Sequence, residues 1–136
     1  MTLRQLENLL GKGLKAEEPN DAEIDSLIRS GERRLHDAMN AGLSIESRFD
    51  LAYNAAHALA LAALRHHGYR SENRYLVFQT LPHTLSLAAE QWRVLDAAHR
   101  KRNSIEYEGL ADVDEQTTEA VIRVAREIHE RLLKKR

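Results

Sequence analysis

The stretch ESRFDLAYNAAHALALAALRHHGYR, residues 46–70, constrains this chain more than any other. Read as a helix from about Ile45 to His67, it is apolar on nearly all sides, from Phe49, Leu51 and Ala52 through Leu64. A helix with so broad an apolar surface has to be surrounded. Its alanines let neighbouring helices, or a second subunit, approach closely. With Asn54 and His57 in it, the stretch is too short and too polar to cross a bilayer. Ser44 is placed to cap its start and Gly68 to end it.

The rest of the chain supplies the partners for that helix. Few β-branched residues, two prolines and six glycines stand against abundant Ala, Leu, Glu and Arg. Apolar spacing predicts a short helix from Thr2 to Leu10, broken by GKGLKAEEPN. A second starts at Asn20 or Asp21 and buries Ile24, Leu27, Ile28, Leu35, Ala38 and Met39. SENRYLVFQTL is a shorter helix or turn ending before Pro82. A helix from Thr84 to Arg102 buries Leu85, Leu87, Ala88, Trp92, Leu95 and Ala98. SIEYEGLADVD is then a connection turning at Gly109, and a last helix runs from Asp114 to Lys134. The expected fold is all-α, a four- to five-helix up-and-down bundle forming one domain over residues 1–136.

Composition narrows the chemistry. The net charge of −1 excludes the global basic field of a general nucleic-acid binder, so any such contact needs a local patch. Cysteine is absent, which removes disulfides, thiolate catalysis and cysteine zinc sites. The N-terminal MTLRQLENLLGKGLK lacks the continuous apolar run of a signal peptide, and a soluble, cytoplasmic protein is expected. Seven histidines raise the question of a metal. His66 and His67 are adjacent and diverge, and the others stand alone in sequence, so no metal and no cofactor are expected. Gly11 to Gly13 do not have the spacing of a phosphate-binding loop.

What remains is AAHRKRNSIEYEGL, residues 97–110. His99, Arg100, Lys101 and Arg102 are either cations suited to a helix C-terminus or an anion site. A guanidinium holds phosphate oxygens bidentately, Asn103 orients a neighbour, and the Tyr107 hydroxyl follows five positions after Arg102. The plainer alternative has Arg102 paired with Glu106 or Glu108 and Asn103 capping its helix.

RNSIEY at residues 102–107, followed by EG, resembles the signature region of the HEPN superfamily, the higher eukaryotes and prokaryotes nucleotide-binding domains. Residues 46–70 are similar to that group's long alanine-rich helix, and YLVFQTL to the segment after it. The resemblance covers roughly residues 20–135. It implies a helical bundle that forms a homodimer. It also implies one of two roles: a metal-independent ribonuclease, often a toxin paired with an antitoxin, or a non-catalytic partner of a minimal nucleotidyltransferase. The family's site is Arg, a polar residue, then His four to six positions on, with two copies meeting across the dimer. Arg102 and Asn103 match its first two positions, and Tyr107 stands where His is expected. A phenol of pKa about 10 is a poor base at neutral pH, where imidazole at about 6.5 exchanges protons readily. The resemblance therefore implies RNA or nucleotide binding through Arg102, Asn103 and Tyr107, flanked by His99, Arg100 and Lys101, with cleavage weak or lost. An active ribonuclease using Tyr107 or His99 is the alternative.

Overall fold

A computed structural model describes residues 6–108 and 113–136, with the side chains of residues 105–108 outside the description. The chain is an all-α bundle. Its long helices are α1 (Asp21–Ala38), α2 (Ile45–His66), α5 (Ala89–Glu108) and α6 (Glu115–Lys135), with short α3 (Arg74–Gln79) and α4 (Leu81–Thr84) between. Two-residue strands β1 (Lys15–Ala16) and β2 (Tyr69–Arg70) pair antiparallel, Lys15 opposite Arg70. No described helix is long and apolar enough to cross a membrane.

The expected central helix is central. Ala52, Ala55, Ala56, Ala60, Ala62 and Ala63 of α2 are fully or almost fully buried by the chain itself, along with Tyr53, Leu59 and Leu64. The apolar face that suggested room for a second subunit is thus covered from within. Asn54, His57 and Leu61, spaced three and four apart, form a half-buried stripe on the same helix.

Local signals set the helix starts. Asn20 Oδ1 accepts from Glu23 N at 3.0 Å, Ser44 Oγ from Ser47 N at 3.1 Å, and Asp114 Oδ1 from Thr117 N at 2.7 Å. At the far end of α2, Gly68 takes φ +88°, a conformation that costs a residue with a Cβ. On α1 the buried stripe is Ile24, Ile28, Gly31, Leu35 and Ala38, whereas Met39, expected inside, is about half exposed. Met39 is the C-cap, past the last helical turn, where the chain veers off toward α2.

Gly31 lets α1 approach α2 closely. A Cβ built there lies 2.6 Å from Leu59 Cγ. Gly31→Ala would gain about 1 kcal/mol of helix propensity. The overpacking against a buried leucine costs about 1–3 kcal/mol and wins. A net loss of up to about 2 kcal/mol in urea unfolding is expected. Adding Leu59→Ala should give a double variant less destabilised than the sum of the two single changes.

Two boundaries differ from expectation. The helix predicted over residues 84–102 runs from Ala89 to Glu108. Its start is delayed because Ser86 adopts φ 57° and the chain restarts at Ala88, whose N–H is accepted by Gln91 Oε1 at 3.0 Å. Its end is later because residues 103–108 contain no proline or glycine. Much of the connection expected at residues 104–114 is therefore helix, and Arg102 and Asn103 lie inside α5. Pro82 does not simply end the preceding segment. It sits in the first turn of α4, where its missing N–H costs nothing. The first predicted helix does not reach Leu10: residues 8 and 9 are a turn and Leu10 bridges to Leu14. Its start, residues 2–5, and the turn at Gly109 lie outside the described residues.

Candidate functional site

Three residues of the basic run come together on one face of α5: His99, Arg102 and Asn103, at positions i, i+3 and i+4. Asn103 Nδ2 lies 3.3 Å from His99 Nε2, and Tyr53 Oη from α2 lies 3.0 Å from His99 Nδ1. With the amide donating to Nε2, the neutral ring carries its proton on Nδ1 and donates it to the Tyr53 oxygen. Both nitrogens are thereby engaged. Burial holds the His99 pKa below its ordinary value; Arg102 and Arg74 push it the same way, with Asp96 acting against them.

Tyr53 is the platform of the cluster. The Arg102 guanidinium stands 5.2 Å from its ring centroid and that of Arg74, from α3, 5.7 Å. Phe49, Phe78 and His99 pack around the same ring, with centroids 5.6–6.5 Å away. Tyr75 lies 5.4 Å from the His99 ring and 5.6 Å from that of Trp92, closing the other side. Arg74 Nη1 donates to Asn54 Oδ1 at 2.9 Å, which ties α3 to α2. One turn along α2, His57 sets its ring edge-to-face on Phe78 at 6.0 Å. Burial, then Arg74 and Arg102, lower its pKa to about 4, so it is neutral at physiological pH.

Arg100 and Lys101 diverge from this face. The Arg100 guanidinium pairs with Asp96 at 3.2 Å and is three-quarters exposed. The Tyr107 side chain, and the proposed pairing of Arg102 with Glu106 or Glu108, lie outside the described residues. Among the described residues no group of three His, Cys, Asp or Glu side chains is placed to hold a metal ion.

Sequence reasoning missed Tyr53, Asn54, His57, Arg74 and Tyr75, which two other elements bring to the cluster. The available signal was Asn54 and His57, two polar residues three apart within the apolar run of residues 51–64. The cluster contributes no residue to the cleft of about 330 Å³ between α5 and α6, which is lined by Glu90, Val94, Arg123 and Glu127 among others. Its members are half-buried, apart from the buried Tyr53, so it forms a shelf of fixed cations and neutral donors on the bundle.

No protein-family model, curated protein or solved structure matches this chain.

Proposed function

We propose that this is a HEPN-like helical protein that binds RNA or nucleotide at the shelf formed by Arg102, Asn103, His99 and Tyr53, with weak or no nuclease activity. The observation that carries this reading is the bracing of His99 between Tyr53 and Asn103. It fixes the rotamers around Arg102, whose guanidinium is further held on the Tyr53 ring. Preorganised cations and donors bind phosphate well because little freedom is lost on binding.

The same bracing speaks against His99 as a catalytic base. A general base needs a free lone pair within reach of substrate, and both ring nitrogens of His99 are occupied. Tyr107, in the position of the family's histidine, is a poor replacement at neutral pH.

Fluorescence anisotropy with a short oligoribonucleotide at low salt tests the reading. Wild-type protein should bind, Arg102→Ala should bind about tenfold more weakly, and affinity should fall as salt rises. Steady release of cut fragments under the same conditions would instead establish the ribonuclease, toxin-like alternative. If neither binding nor cleavage is seen, the role of a helical partner to a minimal nucleotidyltransferase takes precedence, and co-purification tests it. The homodimer that the HEPN resemblance implies is checked by sedimentation at micromolar concentration, where a dimer is expected.

A further inference from the structure

We infer that Arg74, Asn54 and His57 form a phosphate-accepting subsite beside Arg102, and that seating a phosphate there is coupled to uptake of one solvent proton by the His57 ring. This rests on the reading above, that the shelf takes RNA or nucleotide. It adds residues from two other helices and makes binding proton-linked.

Arg74 differs from the half-buried Arg48, Arg70 and Arg131 and from the buried Arg65, each of which faces a carboxylate within 3.0 Å. Arg74 has no carboxylate partner among the described residues. It is held by a neutral amide, Asn54 Oδ1, and by the Tyr53 ring. Such a guanidinium is fixed in place yet keeps its full charge for an incoming anion.

His57 stands one turn from Asn54 and makes no hydrogen bond to a described residue, so its ring nitrogens are uncommitted. The charged groups acting on it are Arg74 from α3 and Arg102 from α5, both cationic. From its own helix it has Tyr53 and Asn54 as polar neighbours, and from α3 the Phe78 ring. In the free protein, burial and the two cations keep it neutral, with a pKa of about 4. A phosphate anion between the guanidiniums reverses the local potential and favours the imidazolium. The proton comes from solvent and goes to the unprotonated ring nitrogen, which then donates to a phosphate oxygen. Affinity must therefore rise as pH falls. His99 is poorly suited to this role because protonating its second nitrogen would break its contact with the Asn103 amide.

The test uses the full chain and an oligouridylate of about eight residues with hydroxyl ends, whose diesters and bases do not titrate between about pH 5 and pH 8. Wild-type affinity at fixed low salt should be about fourfold tighter near pH 5.5 than near pH 7.5. His57→Gln should lose that pH dependence, and Arg74→Gln should bind about tenfold more weakly at both pH values. In the wild-type protein, saturation with the oligonucleotide should move the NMR titration midpoint of the His57 ring upward. A pH-independent wild-type affinity, an unchanged dependence in His57→Gln, or a His57 midpoint that does not move on saturation each overturns the inference while leaving RNA binding intact. Absence of wild-type binding at every pH removes the underlying reading as well. Should His57→Gln fail to fold, the wild-type NMR midpoint decides.

Discussion

Arg65→Met is expected to lower stability by about 3–4 kcal/mol, more than any other single charge removal among the described residues. The Arg65 side chain is fully buried near the C-terminal end of α2. Its Nε donates to Glu23 Oε1 at 2.8 Å, Nη1 to the carbonyls of Glu17 and Tyr69 at 2.9 and 3.3 Å, and Nη2 to the Glu18 carbonyl at 2.7 Å. One guanidinium thus ties the segment before α1, the first turn of α1 and the β2 strand to α2. Methionine fills much of the volume but leaves those acceptors unmatched, and a buried acceptor without a partner costs about 1–3 kcal/mol. Arg65 and Arg70 together also hold the Glu23 carboxyl below its ordinary pKa. Arg70 reaches the same carboxylates from a position about 30% exposed. Arg70→Met should therefore cost no more than about 1 kcal/mol. Urea unfolding of the two variants side by side checks this, through the midpoint at constant slope. Equal losses would show that the charges matter only as surface pairs.

Much of the fold was legible because its signals are local. Asn20, Ser44 and Asp114 announce three helix starts, and the apolar run of residues 49–64 announces the buried helix. The boundaries of α5 were not legible, for a reason that also concerns the site. Asn103 looks like a helix stop because its amide ordinarily competes for backbone groups. Here that amide is directed at the His99 ring one turn back, so it does not compete and the helix runs on. Ser86, at φ 57°, breaks the chain where no glycine or proline gives warning. The β1–β2 pair is too short to show any alternation.

For the site, the sequence showed one strand of a three-part assembly. His99, Arg102 and Asn103 lie within five residues and could be read together. Tyr53 and Arg74 reach them from elements 46 and 28 residues earlier than His99 and Arg102 respectively, by way of tertiary packing. Arg100 and Lys101 show the converse. They are neighbours in sequence that the helical period turns away from the shelf.

Stability is expected to fall by about 3 kcal/mol as pH drops from about 6.5 to about 4 on account of His57 alone. Its pKa in the folded chain is about 4, against 6.5 for the unperturbed group. Between those values the unfolded chain binds the proton and the folded chain does not, so acid favours unfolding. Above about pH 6.5 both states are neutral and the full stability is present; below about pH 4 both are protonated and the loss is complete. His57 has to be isolated from other groups that act in the same direction. His99, His83 and His66 also have pKa values lowered chiefly by burial. His57→Gln removes only the first contribution. Between urea midpoints near pH 7 and near pH 4.5, wild-type stability should drop by about 2–3 kcal/mol more than that of the variant. Parallel curves would mean that burial and the two guanidiniums do not hold this ring neutral. Sulfate would distinguish the source of the loss: an anion between Arg74 and Arg102 offsets the charge that penalises imidazolium, so the acid-side loss should shrink in wild type and not in His57→Gln.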